Sequence, residues 1–454
     1  MRLLLVTDSY PPFIGGADLQ VQMIAHAMVE AGHRVEVATP WQPGLLERED
    51  DAGVLVHRTR ALATRVPWFS KDPGRRHHPP FPDPGTSIAL RRIVRDFQPD
   101  LVHSYGWISY SAAAAILGRK IPLVVSARDY GYVCAVRNFL HYRGSVCSGP
   151  APLKCLRCAA FTYTQDDAGN AVLGSADAPI GTFNRVRGIG KAMTAVAAIH
   201  LGGALLRANL VGVHSVSHFV RGIMDRYLLH LGTAGGKSAM LDVVIPSFLP
   251  PAETGPPDAL FLHRLPEEPF ILFVGALLPQ KGIWPLLGAY RRLRQPAPPL
   301  VLVGPRFYNS PKDLPSGVIE LGAASHATVM AAWDQATLGV VPSVGAETFG
   351  NVVTEAMSHG RAIVASRLGG IVDIIEDGVS GLLVPPGDED ALATAMQRLL
   401  DDEGLRSAIG GAARERVQRF TATVVLPQFE AMYGELLARS RGSDEPTSST
   451  AGSR

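Results

Sequence analysis

An alternation of short apolar runs with amphipathic stretches, repeated in both halves of the chain, limits its fold more than any other feature. Residues 2–8, RLLLVTD, form an apolar run of the kind a buried parallel strand needs. A loop, SYPPFIGGAD, leads to LQVQMIAHAMVEAG, with apolar residues at Leu19, Val21, Ile24, Met28 and Val29 and a helix stop at Gly32. HRVEVATP then reads as a second strand, so the chain opens as a doubly wound sheet does. Ile88–Phe97 and Ser111–Leu117 read as helices, and Asp100–His103 and Pro122–Ser126 as strands. Residues 67–86, rich in Pro, Arg and His, read as an exposed loop with His77 and His78 solvated.

A proline-dense stretch, IPSFLPPAETGPPD (245–258), reads as a linker. A second alternation follows it, with strands expected at Ile271–Val274, Leu300–Val303, Leu338–Val341 and Ala362–Ala365. Helices are expected between them, at Trp284–Leu293, Val329–Gln335 and Val352–His359. The fold class is therefore α/β, with two Rossmann-like domains facing across a cleft. The expected boundaries are 1–248, 249–422, a helix over 423–440 and a disordered tail over 441–454.

At 454 residues, 46% hydrophobic and 19% charged, the chain has the composition of folded domains. Its formal net charge of +2, with no dense Lys/Arg stripe, argues against a nucleic-acid partner. The opening MRLLLVTDSYPP is too short in apolar residues for a signal peptide, so a cytoplasmic protein is expected. The longest apolar stretch, Ala192–Val213, is interrupted by His200, Arg207 and Asn209. It reads as a half-buried helix running into a strand, and leaves peripheral contact with the inner face of a membrane open.

In open α/β sheets, ligands bind beyond the carboxyl ends of the strands. There the string PSVGAETFGNVVTEAMSHG (342–360) places Glu347 in a loop, Gly350 at a tight turn and Glu355 one turn into the next helix. The helix start offers unpaired N–H groups and a positive dipole end, an anion site between two carboxylates. Carboxylates suit sugar hydroxyls, so one can hold a hexose and the other a ribose. Two acids eight residues apart are, taken alone, more often surface acids.

The surrounding string resembles the signature of glycosyltransferase family 4, E-x-F-G-x(4)-E-A, continued by AIVASRLGGIVDIIEDGVSGLLVPPGD (362–388). The resemblance implies the two-domain GT-B fold and retaining, metal-independent hexosyl transfer from a nucleoside-diphosphate sugar to a hydroxyl acceptor, lipid-linked or soluble. It implies that Glu347 contacts the transferred sugar and Glu355 the ribose, with Phe349, Gly350, Asn351 and Val352 along sugar and phosphate. Lys281 matches the phosphate lysine, but Ala276 stands where the family has arginine; Arg306, Arg367 or Arg128 is expected to compensate. The base would lie by the loops at 302–306 and 320–322. Gly15 and Gly16 match the glycine loop of the first domain. His103 is expected at a strand end facing the cleft, and Arg128 takes the place where many members have histidine. A guanidinium clamps anions but serves as no base. No carboxylate nucleophile for a double displacement stands out.

Cys134, Cys147, Cys155 and Cys158 fit a bacterial subset in which clustered cysteines follow an R-D-Y segment. A structural zinc and four packed thiols both remain open. So does a second reading of the chain, a non-catalytic nucleotide-sugar-binding or scaffold subunit, which Ala276 and Arg128 favour.

Overall fold

The computed structural model describes residues 1–12, 16–63, 78–142, 144–167, 182–231, 240–250, 255–307 and 309–442. The first half runs β1 (Arg2–Thr7), α1 (Gly16–Glu30), β2 (Arg34–Pro40), β3 (Arg48–Asp51), β4 (Val54–Thr59), α2 (Pro84–Phe97), β5 (Leu101–Tyr105) and α3 (Ile108–Ala115). It continues through β6 (Leu123–Ala127), α4 (Pro152–Asp167), α5 (Thr182–Asn209), β7 (Leu210–Ser215), α6 (His218–Met224) and β8 (Leu241–Val244). Its strands form one sheet in the order β3-β4-β2-β1-β5-β6-β7-β8, parallel except for β3 against β4. Strands β5 and β6 are buried throughout; their apolar runs are interrupted by His103, Ser104 and Ser126, whose polar groups are bonded inside the core.

The second half runs α7 (Ala259–Leu262), β9 (Ile271–Val274), α8 (Ile283–Arg291), β10 (Leu300–Val303), β11 (Val318–Gly322), α9 (His326–Gln335), β12 (Leu338–Val341) and α10 (Asn351–Ser358). Then come β13 (Ala362–Ser366), α11 (Ile371–Ile374), β14 (Leu382–Val384), α12 (Glu389–Asp401), α13 (Glu403–Arg416) and α14 (Ala422–Gly442). The parallel sheet has the order β11-β10-β9-β12-β13-β14. Strand order reverses at β1/β5 in one sheet and at β9/β12 in the other. These two switch points are where crevices open.

After α13 the chain returns to the first sheet. Leu249 N–H donates to Phe420 O, and α14 lays Phe429, Met432, Tyr433 and Leu436 on the core around β1, β2 and β5. Two expectations change. Helix α2 begins at Pro84, inside the expected loop, because Asp83 accepts from Thr86 N and proline suits the first helical position. His78 is buried rather than solvated, bonded to Pro79 O at 2.7 Å and Ser111 Oγ at 2.9 Å. His77 lies outside the described residues, as do the linker's residues 251–254 and the tail from 443.

Candidate functional site

The site grows from three loops of the second sheet that glycines let close on one another. Gly282, at φ +76°, passes so near the end of β12 that an added Cβ would stand 1.8 Å from Pro342 O. Val344 and Gly345 N–H both donate to Gln280 O, at 3.0 and 2.9 Å. The turn carrying Lys281 is thereby fixed to the loop carrying Glu347. From the other side, Gly370 N–H donates to Glu347 O at 2.8 Å. A Cβ on Gly370 would meet Thr348 O at 2.4 Å, so the Leu-Gly-Gly after β13 is a seat for the Glu347 loop.

Within this frame Lys281 Nζ donates to Glu347 Oε1 at 2.7 Å, and Ser343 Oγ donates to the same oxygen at 2.8 Å. Helix α10 starts at Gly350 with no side chain capping it. Val353 and Thr354 N–H return to Gly350 O, leaving the first-turn amides of Asn351 and Val352 for an anion. A cavity of about 230 Å³ collects Lys281, Ser343, Glu347, Phe349, Gly350, Asn351 and Val352, with Arg128 and Ser247 from across the cleft. Whole ligand pockets run to about 300–1,000 Å³, so this one holds part of a ligand. Glu355 lies on the far side of the helix start, largely buried, 3.5 Å from His326 Nε2.

Arg128 reaches the cavity braced by Gln20 Oε1 and by Ser247 Oγ at 3.0 Å. The other two compensating cations are held elsewhere. Arg306 Nε is 3.2 Å from Glu320 Oε1 and its Nη2 bonds Pro311 O, while Arg367 is paired with Asp377. Gly16 begins α1, and Gly15 lies outside the described residues.

His103 does not face the cleft. It sits in mid-strand, fully buried, and α14 covers it. Its bonding partners fix its state. His214 Nε2–H donates to Ile245 O at 2.7 Å, so His214 Nδ1 accepts from Ser126 Oγ at 2.6 Å. Ser126 Oγ in turn accepts from His103 Nε2–H at 2.7 Å, and His103 Nδ1 accepts from Tyr433 OH at 2.8 Å. Both imidazoles are thus neutral. Burial pushes His103 well below the usual imidazole range, helped by His214 and Arg128, and pushes His214 down to about 3.

Five residues that sequence reasoning missed shape the opposite wall. Asp8, just beyond β1, accepts from Trp107 N–H and Ile108 N–H at 2.9 and 2.8 Å. Arg137 holds Asp129 through Nε and Nη2, at 2.8 and 2.5 Å, and lies 3.3 Å from Asp8. Burial opposes the Arg137 charge, but Asp129 and Asp8 outweigh it and keep the guanidinium charged. Tyr130 OH donates to Ala346 O at 2.9 Å and Ser217 Oγ to Thr348 O at 2.7 Å, so the first domain grips the Glu347 loop from both sides. Only the acid after the first strand could have been noticed from its place at a switch point.

The cysteines lie beside this wall. Cys155 Sγ accepts from Ala151 N–H and Cys158 Sγ from Tyr142 N–H, each at 3.3 Å. Burial raises the thiol pKa of Cys134, Cys155 and Cys158. Cys147 adds to each of these rises, so the sulfurs lie near one another, although among the described residues no group of three His, Cys, Asp or Glu side chains is placed to hold a metal ion.

Two facing doubly wound domains, with an uncapped helix start at the crevice between them, define a cleft of GT-B architecture. Residues 268–402 match the family model "Glycosyl transferases group 1" and residues 15–168 match "Glycosyl transferase 4-like domain". The chain belongs to the GT-B glycosyltransferases, one half carrying each domain of the pair. It is 35% identical over 184 residues to a phosphatidyl-myo-inositol mannosyltransferase of Mycolicibacterium smegmatis, covering 39% of this chain and 48% of that protein. The match thus spans about half the relative's length. A D-inositol 3-phosphate glycosyltransferase of Jonesia denitrificans is 26% identical over 455 residues, 92% of this chain and 91% of that one. Among solved structures, sucrose-phosphate synthase of Thermosynechococcus elongatus superposes with a TM-score of 0.65 at 21% identity, covering 96% of this chain and 99% of that one. HepE of Anabaena, in complex with UDP, gives 0.58 at 18%, covering 96% of this chain and all of that one.

Proposed function

We propose that the chain is a retaining glycosyltransferase that moves a hexosyl group from a nucleoside-diphosphate sugar to a hydroxyl acceptor, in the cytoplasm, during envelope or glycoconjugate synthesis. The observation that carries this reading is the single cavity in which Lys281, Glu347, Arg128 and the open α10 start converge. A diphosphate seated on Asn351 and Val352 N–H puts its sugar towards Glu347 and its ribose towards Glu355. Lys281 and Arg128 then face the charge that grows on the leaving diphosphate, which takes the part a metal plays elsewhere. Arg128 stands in for the family arginine replaced by Ala276. Solved neighbours that hold UDP or UDP-glucose support this donor class.

The acceptor would lie against Asp8, Asp129 and Arg137. Both of these carboxylates are bonded to backbone N–H groups and to Arg137, and His103 is buried and neutral. This favours transfer on one face of the sugar, with the leaving phosphate taking the acceptor proton, over a covalent glycosyl intermediate. Ala276 alone favours the second reading, a subunit that binds donor without turning it over. Incubation with a panel of UDP-, GDP- and ADP-sugars tests the proposal: nucleotide release with one donor, faster with acceptor, is expected. Folded protein that binds none of them would end it.

A further inference from the structure

Helix α5 has 28 residues, about 42 Å at 1.5 Å per residue, whereas the five-residue β6 it follows spans only about 17 Å. It runs back to the start of β7, so its first half overshoots the sheet on the cleft side. One side is anchored. Ala192, Ala195, Val196 and Ile199 pack with Ala135 and Ala159, Gly202 lies against the Tyr110 ring, and Gly188 lies against Thr164.

The other side is open and apolar. Val186, Ile189, Met193, Ala197, Leu201 and Ala204 recur at helical spacing and are all exposed, Met193 by 59% and Leu201 by 75%. Neighbouring α4 exposes Leu153 by 79% and Phe161 by 47%. A solvent-facing stripe of this length is the reverse of an ordinary amphipathic helix, whose apolar side faces the core. Charge selects the occupant. Helix α5 has no Asp or Glu; of its cations Arg185 is exposed beside Val186 while Arg187 is buried, and on α4 exposed Arg157 stands at helical spacing between Leu153 and Phe161. Residues 185–209 are long and apolar enough to cross a bilayer, but the anchored side leaves the helix lying along a surface.

We propose that the open face of α5 docks the first domain onto a bilayer containing anionic lipid, with Met193 and Leu201 among the acyl chains and Arg185 among the headgroups. The acceptor wall of the cleft, joined to α4 by the cysteine segment, is then held beside the membrane.

Co-sedimentation of the full chain with vesicles tests this independently of any sugar transfer. Binding is expected to equimolar phosphatidylglycerol–phosphatidylcholine vesicles, weakened by 0.5 M salt. The double variant Met193→Glu, Leu201→Glu should bind about tenfold or more weakly. Both side chains are exposed, so its melting temperature should match the parent, and Arg185→Glu is a second, polar variant that should also weaken binding. No binding to either vesicle, or unchanged binding by both variants, overturns the proposal. Equal uptake by phosphatidylcholine alone overturns the anionic assignment. A dimer in solution that the double variant dissolves shows instead that a second copy covers the face.

Discussion

Replacing Lys281 by methionine separates two roles of one side chain. Lys281 Nζ lies 2.7 Å from Glu347 Oε1, with the two side chains 35% and 22% exposed. A pair this wet is screened and contributes about 0–1 kcal/mol to folding. Glu347 also keeps Ser343 Oγ at 2.8 Å. The variant should therefore melt within about 3 °C of the parent. The chemical loss is larger, because the ammonium faces charge that develops only as the sugar leaves. Removing one such fixed donor costs about 2.7–4 kcal/mol, or 10²–10³ in kcat, and KM should move little. Steady-state nucleotide release and thermal melting on one preparation give both numbers. A kcat within threefold of the parent would refute the assignment. So would a loss of activity that merely tracks a fall in melting temperature of more than about 8 °C.

Gly370→Ala should displace Thr348 and the Glu347 loop, costing about 1–3 kcal/mol by denaturant titration and weakening donor binding; an unchanged midpoint would show that the loop has room to move. Arg128→Gln removes the charge and is too short to reach Gln20 and Ser247 as Nη2 does, so kcat should fall, and equal kcat would remove Arg128 from the leaving-group role. His103 and His214 have folded pKa values below the unfolded value of about 6.5, so the unfolded chain binds more protons at lower pH. Their stabilisation is full above about pH 6.5 and falls as the pH drops towards the folded value, about 3 for His214. Denaturant titrations between pH 7 and 4 should show this decline, and His214→Gln should flatten it; an identical slope would refute the neutral chain. Metal analysis of purified protein decides the role of the cysteines: one zinc per chain would show that the four sulfurs close on a metal, and well under one would leave them packed thiols.

Local pattern carried much of the fold into the sequence. Strands buried on both faces are mostly apolar, and β9, β10 and β12 stand at the residues their apolar runs mark. The Glu347 loop was legible for the same local reason: strand, loop, glycine and helix are contiguous. What escaped depends on distant segments. A histidine in a strand gives no sign that Tyr433, 330 residues later, will cover it. Arg306 looked available because Glu320 reaches it from another strand. The Asp8–Arg137–Asp129 network joins residues 129 positions apart, and no periodicity relates them. Strand β3 is short and edge-lying, a charged REDD with no apolar run, and β4 offers only the three apolar residues Val54–Val56 before His57 and Arg58.

The central claim is that a donor diphosphate rests on the start of α10 between Glu347 and Glu355. A crystal structure with the nucleoside diphosphate that binds best tests this directly. Phosphate oxygens are expected at hydrogen-bond distance from Asn351 and Val352 N–H, with Lys281 beside them and the ribose at Glu355. A diphosphate seated elsewhere, with those amides left to solvent, would contradict it.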